Sequence, residues 1–259
     1  FTFMSLKAHI TTVNYQDFIC SDPDRKLDFV TNLGKSFAEI GFVVVSNHGV
    51  TETLRHELFS ASKKFFELPD RIKAKYEFPE LAGQRGYIGK FKETAKDSKK
   101  PDMKEFYHIG QENQESIDLN YPLNIWPDEV PELKDISIRI YQIFEEIGQT
   151  LLKAIALYLN LSENFFDEKI YLGNSILRLL HYFPIKDISD VPKGSLRAAA
   201  HEDINLITLL MGASAEGLQA KTRAGHWIDI NPLTNQIVVN IGDMLQRLTN
   251  GQLLSTSHR

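Results

Sequence analysis

The 259-residue sequence contains a single cysteine, Cys20, and no long apolar segment. One thiol cannot form an internal disulfide bond, and small secreted folds usually contain several such bonds. The longest apolar run, residues 206–213, is far shorter than the roughly 18 residues that a membrane-spanning helix needs. The first residues also lack the basic, apolar and small-residue order of a signal peptide. We therefore expect a cytoplasmic protein that does not associate with membranes.

The sequence also lacks a surplus of basic residues. It has 29 lysine and arginine residues against 34 aspartate and glutamate residues, which gives a formal net charge of -5. A general nucleic-acid-binding protein would show a basic surplus, so we expect no nucleic-acid partner. Hydrophobic residues make up 42% of the chain, which is enough to build a sizeable core. The oligomeric state does not follow from these numbers.

Helical periodicity dominates the first half of the sequence. Ser21-Asp22-Pro23 is a helix start signal, a capping side chain beside a proline, and Gly41 ends the apolar pattern that follows it. The β-branched run at residues 42–45 then predicts a buried strand, and Thr51 is placed to cap a second helix. One long helix is predicted from residue 131 to about residue 159 by apolar residues at helical spacing: Leu133, Ile136, Ile140, Ile143, Ile147, Leu151, Ile155 and Tyr158.

From residue 175 onward the pattern changes to short β-rich runs separated by turn residues. These runs are residues 175–183, 197–201, 206–212, 217–220, 226–230, 236–240 and 253–258. Several short strands at this spacing are typical of a β-sandwich or jelly roll. We therefore predict an α+β fold: a double-stranded β-helix (jelly-roll) core, a largely helical N-terminal region, and a long helix packed on the sheet.

A candidate metal site lies at His201-Glu202-Asp203. Residues two apart in an extended chain point to the same side, so His201 and Asp203 can face one point while Glu202 faces away. Two ligands hold a metal weakly, and His258, at the end of a late predicted strand, is the candidate third. Imidazole and carboxylate ligands together suit Fe(II), Zn(II) or Mn(II). Spacing alone leaves open a loop histidine beside a turn-forming aspartate.

His226 and Asp229 form a rival pair. They are three residues apart, so in a strand they would face opposite sides. The neighbouring Trp227 is explained by core packing. We therefore prefer the first set on geometry.

The order of short motifs along the chain resembles the isopenicillin-N-synthase-like dioxygenases. In the first half the resemblance rests on Gly41-Phe42-Val43-Val44-Val45, Asn47-His48-Gly49-Val50, Phe65-Phe66-Glu67-Leu68-Pro69, Gly83-Gln84-Arg85-Gly86-Tyr87 and Lys104-Glu105-Phe106. In the second half it rests on His201-Glu202-Asp203, Leu206-Ile207-Thr208-Leu209-Leu210, Gly217-Leu218-Gln219, Gly225-His226-Trp227-Ile228, Val239-Asn240-Ile241-Gly242-Asp243, Leu248-Thr249-Asn250-Gly251 and Ser255-Thr256-Ser257-His258-Arg259. The resemblance thus extends over almost the whole chain.

The resemblance implies a function and a division of the chain. Residues 1–125 would form the leading domain of a non-haem dioxygenase, and residues 126–259 its jelly-roll core with the supporting helix. His201, Asp203 and His258 would bind Fe(II) as catalytic metal ligands. With 2-oxoglutarate as co-substrate and dioxygen, the enzyme would couple oxidative decarboxylation to hydroxylation or oxidation of a small-molecule substrate.

Two departures from the family pattern concern the co-substrate. Relatives that use 2-oxoglutarate hold its distal carboxylate with an Arg-x-Ser pair beyond the position that matches His258, and this sequence ends at Arg259. We therefore expect a core that is incomplete at the C-terminus. Many relatives also have Asn-x-Tyr-Pro where this chain has residues 181–184, His-Tyr-Phe-Pro. His181 takes the Asn position and is the candidate cofactor-binding residue, although a structural role on a strand is equally open.

Three other functions remain open from the sequence. The nearest is an iron-dependent oxidase of the same fold that does not use 2-oxoglutarate. A zinc hydrolase is the second, because histidine and aspartate also bind zinc. The third is a non-catalytic binding protein on a jelly-roll scaffold.

Overall fold

Three of the helices begin directly after residues whose side chains accept hydrogen bonds from the first backbone N–H groups: Asn14, Asp22 and Thr51. The computed structural model describes residues 10–93, 101–112, 121–185, 187, 189, 191, 197–212 and 217–259. Its α-helices are α1 (Tyr15–Ile19), α2 (Pro23–Glu39), α3 (Glu52–Phe66), α4 (Asp70–Lys73), α5 (Glu132–Tyr158), α6 (Asp167–Ile170) and α7 (Asp243–Leu248). Two 3-10 turns span Ala74–Tyr76 and Pro79–Leu81.

The three helices predicted from the sequence are confirmed. Asp22 caps α2, because its carboxylate accepts hydrogen bonds from the backbone N–H groups of Asp24 and Arg25 at 3.0 and 3.3 Å. Thr51 caps α3 in the same way, accepting from the N–H of Leu54 at 3.2 Å. The long helix predicted over residues 131–159 is α5.

The strands are β1 (Thr12–Asn14), β2 (Phe42–Ser46), β3 (Gly86–Ile88), β4 (Glu105–Ile109), β5 (Leu177–His181), β6 (Ile207–Met211), β7 (Gln219–Lys221), β8 (Trp227–Asp229) and β9 (Ile237–Ile241). The chain divides into two compact units that each draw on separate stretches. The first contains Phe1–Gly49, Glu146–Glu168 and Ala200–Arg259, and the second contains Val50–Glu145 and Lys169–Ala199. The division predicted from the sequence, into residues 1–125 and 126–259, cuts the chain at a single point. That division stays a prediction.

The first unit is built on a four-stranded sheet in the order β1-β2-β9-β6. Strand β1 is parallel to β2, whereas β9 is antiparallel to both β2 and β6. Every residue of β9 is buried, as expected for a central strand covered on both faces. The part of α5 that belongs to this unit packs on the sheet, since a Cβ built on Gly148 would lie 4.0 Å from Leu209 of β6. Strands β7 and β8 form a separate hairpin.

The second unit contains the three-stranded antiparallel sheet β3-β4-β5. Strand β4 is buried throughout. Phe65 of α3 packs its ring edge-on against Tyr107 of β4, with ring centroids 4.8 Å apart. Two charged side chains, Lys73 and Glu105, are also buried in this unit, and they pair with each other.

The structure differs from the prediction around residues 243–258. Asp243–Leu248 is a helix, and the strand predicted at residues 253–258 is reduced to isolated bridges, among them Ile241 with Ser255. The backbone N–H of Leu253 donates to the side chain of Thr249, and that of Ser255 donates to the side chain of Gln246. These two N–H groups are therefore not used in hydrogen bonds between strands. The strand predicted at residues 197–201 is likewise only a bridge at His201. No helix in the described part of the chain is both long and apolar enough to cross a membrane.

Candidate metal centre

His201 and His258 face each other across an antiparallel bridge in the first unit. The N–H of His201 donates to the carbonyl of His258 at 3.0 Å, and the N–H of His258 donates to the carbonyl of His201 at 2.9 Å. A second bridge joins His258 to Ala220 of β7. These bonds place the two imidazole rings 4.4 Å apart, measured between centroids. The backbone therefore positions two histidines that lie far apart in sequence.

Asp203 brings a carboxylate to the same point. Its Oδ1 lies 3.7 Å from Nε2 of His201 and 3.8 Å from Nε2 of His258. One ligand atom from each of the three residues lies within 4.8 Å of the other two. Glu202, between the two ligand candidates, is exposed. The alternation predicted for residues 201–203 is therefore found, and the three donors converge.

The other oxygen of Asp203 is held by neighbouring strands. Its Oδ2 accepts hydrogen bonds from Nδ2 of Asn240 at 2.9 Å and from the hydroxyl of Thr208 at 2.6 Å. Burial alone would raise the pKa of Asp203. The bonds from Asn240 and Thr208, with the nearby histidines, outweigh burial and hold the pKa below its usual 3.8. The carboxylate is thus ionised at neutral pH, as a metal ligand must be.

His258 presents the nitrogen that a metal needs. Its Nδ1 lies 3.1 Å from the carbonyl oxygen of Thr256; a carbonyl can only accept, so Nδ1 carries the proton and Nε2 carries the lone pair. Burial lowers the pKa of His258 below 6.5, against the raising effects of Asp203 and Thr256. The ring is therefore neutral at pH 7. Phe42 of β2 covers it edge-on, with centroids 5.5 Å apart.

The residues fit a divalent metal such as Fe(II). Two imidazole nitrogens and one carboxylate oxygen form a set that occupies one face of an octahedral ion. The fixed tautomer of His258 and the hydrogen-bonded second oxygen of Asp203 are the outer contacts that orient metal ligands in proteins. Among the residues that the structure describes, this is the one group of three or more histidine, cysteine or acidic side chains found to be close enough for such a site.

The remaining sequence candidates lie elsewhere. His226 and Asp229 are both exposed, and Asp229 accepts a hydrogen bond from Gln219 at 2.8 Å. His181 belongs to the second unit, where its Nδ1 lies 2.8 Å from Oε1 of Glu105 and Phe66 stacks on its ring at 4.9 Å. These contacts give His181 a defined structural setting. Its assignment to the co-substrate stays a prediction.

Two family profiles match the sequence. One, described as the non-haem dioxygenase in morphine synthesis N-terminal region, matches residues 10–129, and the 2OG-Fe(II) oxygenase superfamily profile matches residues 173–259. A proline hydroxylase of Petromyces alliaceus is 34% identical over 261 residues, covering 96% of this chain and 80% of the relative. The chain belongs to the 2OG-Fe(II) oxygenase superfamily.

Solved structures agree with the family assignment. A 2OG-Fe(II) oxygenase family protein from Caulobacter crescentus is 39% identical with a TM-score of 0.83, covering 97% of this chain and 80% of that one. A full-length Neurospora crassa protein, solved in complex with alpha-KG and thymine, is 30% identical with a TM-score of 0.86, covering 98% and 80%. These neighbours share the jelly-roll core, so the predicted α+β fold class is confirmed.

The family fixes the type of reaction. This oxygenase uses Fe(II), 2-oxoglutarate and dioxygen, and it oxidises a small-molecule substrate. It is therefore an oxidoreductase that uses 2-oxoglutarate. The iron oxidase without a 2-oxo acid, the zinc hydrolase and the non-catalytic binding protein are all less consistent with this membership than the oxygenase is.

Asn240 and Thr208 also belong to the site, and neither was predicted from the sequence to have a functional role. Both residues stand inside motifs that carry the family resemblance. Their contact with Asp203 depends on the pairing of β6 with β9, in which Thr208 lies opposite Asn240. Strand pairing between distant segments cannot be derived from local spacing, so only the motif positions could have indicated these residues.

Proposed function

We propose that His201, Asp203 and His258 bind the catalytic Fe(II) of this 2-oxoglutarate-dependent oxygenase. The observation that carries the proposal is the convergence of their three ligand atoms within 4.8 Å. Two imidazoles and one carboxylate are the ligand set typical of non-haem Fe(II) oxygenases. They also leave three of six coordination positions for other ligands.

When bound, Fe(II) with 2-oxoglutarate and dioxygen supplies the oxidation: one oxygen atom enters succinate, carbon dioxide leaves, and the other oxygen atom hydroxylates the substrate. The protein supplies the ligands, holds them in a fixed orientation and shields them from water. Thr256 keeps the proton of His258 on Nδ1, and Asn240 and Thr208 orient Asp203. Phe42 shields one side of the His258 ring from water.

Anaerobic reconstitution tests the proposal directly. The protein is loaded with one equivalent of Fe(II), mixed with 2-oxoglutarate and air-saturated buffer, and succinate is measured with and without a candidate substrate. We expect iron-dependent succinate formation that a substrate accelerates. Succinate formation that is independent of added iron, or equal rates for wild type and a His258→Ala variant, would show that this site is not the catalytic centre.

The substrate is a small molecule, and two relatives guide its identification. L-proline is the first probe, because a relative is named as a proline hydroxylase. Thymine is the second, because a structural neighbour was solved in complex with it. Hydroxylated product is detected by mass spectrometry, with an iron-free sample as control.

We retain His181 as the proposed co-substrate-binding residue. Its polar ring keeps 32% of its side-chain surface exposed, which leaves room for a ligand. His181→Asn introduces the residue that many relatives have at this position and should preserve 2-oxoglutarate affinity. His181→Leu removes the polar group and should weaken that affinity without loss of iron; equal affinities for both variants would leave His181 with only its structural role.

A further inference from the structure

The two oxygens of Asp203 have different partners. Oδ1 is the oxygen nearest to Nε2 of His201 and Nε2 of His258, at 3.7 and 3.8 Å. Oδ2 accepts hydrogen bonds from Asn240 and Thr208. One oxygen therefore faces the proposed metal position while the other is bound to protein.

The two donors are fixed by strand pairing. Thr208 of β6 and Asn240 of β9 are directly opposite each other in the antiparallel ladder, so their side chains share one face of the sheet. Asn240 is only 4% exposed. It also lies opposite Phe42 of β2, at the centre of the sheet. The ladder therefore fixes the backbone positions from which both side chains reach Asp203.

A third side chain orients the hydroxyl of Thr208. Nδ2 of Asn205 donates to Oγ1 of Thr208 at 2.9 Å. Because an amide NH₂ can only donate, the hydroxyl accepts from Asn205 and directs its own hydrogen to Asp203. Hydrogen bonds to an ionised carboxylate are stronger than those between neutral groups. Oδ2 is thus held by two oriented, charge-assisted donors.

We infer that Asn240 and Thr208 are positioning residues that restrict Asp203 to ligation through Oδ1 alone. The inference rests on the proposed iron site. A carboxylate can bind a metal through one oxygen or through both. Oδ2 has two lone-pair sites, and the two hydrogen bonds occupy both. Ligation through both oxygens would require Oδ2 to give up at least one of its two donors inside the protein, where unpaired polar groups are unfavourable. The hydrogen bonds therefore oppose the second mode.

Ligation through one oxygen of Asp203 determines how many positions on the metal stay open. Two imidazoles and one carboxylate oxygen leave three positions on an octahedral ion, of which 2-oxoglutarate needs two and dioxygen one. A second oxygen from Asp203 would occupy one of these three. Asn240 and Thr208 thus preserve the space that the co-substrate and dioxygen require, although neither touches the metal position.

The test compares two substitutions at Thr208. Thr208→Val keeps the shape of the side chain and removes the hydroxyl, whereas Thr208→Ser keeps the hydroxyl and serves as the matched control. Iron binding is measured by anaerobic titration, and 2-oxoglutarate binding by the visible charge-transfer absorption that its chelation of Fe(II) produces. We expect Thr208→Val to keep stoichiometric iron when metal is saturating and to bind 2-oxoglutarate more weakly, by about the 10- to 100-fold that outer-shell changes cost in metal affinity or activity. Thr208→Ser should behave as wild type.

Asn240→Ala provides a second variant should Thr208→Val fold poorly. Iron X-ray absorption, recorded before 2-oxoglutarate is added, distinguishes the two carboxylate modes, because the carboxylate carbon lies closer to the iron when both oxygens bind. We expect this shorter iron-to-carbon distance in both disrupted variants. Unchanged 2-oxoglutarate affinity and iron-to-carbon distance in folded variants would overturn the inference and leave the iron site intact. Equal losses of iron and 2-oxoglutarate binding would also overturn it, since they indicate only a structural role. A wild-type protein that binds no iron would instead refute the proposed function.

Discussion

Nζ of Lys73 lies 2.7 Å from Oε2 of Glu105, and each of the two side chains is only 1% exposed. Removing one partner of a buried ion pair leaves an uncompensated charge and costs roughly 3–5 kcal/mol. We therefore expect Lys73→Met and Glu105→Gln each to lower the free energy of unfolding by about this amount, as measured by chemical denaturation. The double variant should lose less than the sum of the two, because it leaves no isolated charge.

The exposed pair formed by Lys63 and Glu67 is the control for this measurement. Its atoms lie 3.8 Å apart, and its side chains are 75% and 64% exposed. Such surface pairs contribute little because water and salt screen them. Lys63→Met should leave the free energy of unfolding nearly unchanged. A similar effect at both pairs would show that burial does not strengthen the interaction of Lys73 with Glu105.

Acid should remove the stability that Glu105 provides. Burial alone would raise the pKa of Glu105, but hydrogen bonds from His181, Lys73 and Tyr87 outweigh it and hold the pKa below 4.5. A carboxylate whose pKa is lower in the folded state stabilises the fold above its unfolded pKa, and this contribution is lost as pH falls through the folded pKa. The free energy of unfolding should therefore decrease below about pH 4.5 more steeply for wild type than for Glu105→Gln. Parallel pH profiles would contradict this assignment.

Substitution of a proposed metal ligand should weaken Fe(II) binding, whereas substitution of the neighbouring Glu202 should not. His201→Ala, Asp203→Ala and His258→Ala each remove one of three ligands, and we expect each to weaken Fe(II) binding by at least about 100-fold, the upper end of the range for outer-shell changes. Glu202→Ala is the control, because this side chain is exposed between two proposed ligands. Affinity is measured anaerobically against a competing chelator. Stoichiometric iron in all three ligand variants would refute the site.

The sequence predicted the local parts of this site well. The alternation of a strand was enough to place His201 and Asp203 on one side with Glu202 outside. Capping side chains at Asp22 and Thr51 predicted where two helices begin. These features depend on residues only a few positions apart, so the local pattern contains the required information.

The parts that depend on distant segments were harder to predict. His258 was chosen as the third ligand, but its position comes from a bridge to His201 rather than from the strand predicted at residues 253–258. The contacts of Asp203 with Thr208 and Asn240 arise only when β6 pairs with β9. The helix α7 was not predicted, because its six residues are too few to show a helical period.

The affinity of the protein for Fe(II) should decrease in acid. An imidazole binds metal only when it is deprotonated, so protons compete with Fe(II) for each histidine ligand. Burial holds the pKa of His258 below 6.5, and the pKa of Asp203 is held below 3.8, so neither group binds a proton near pH 7. Affinity should therefore be nearly constant above about pH 7 and should decrease below about pH 6 as the imidazoles take up protons. Anaerobic titrations at pH values from about 5 to 8, with a chelator of known pH dependence, measure this decrease. A flat affinity over this range would contradict the assignment of two histidine ligands to the metal.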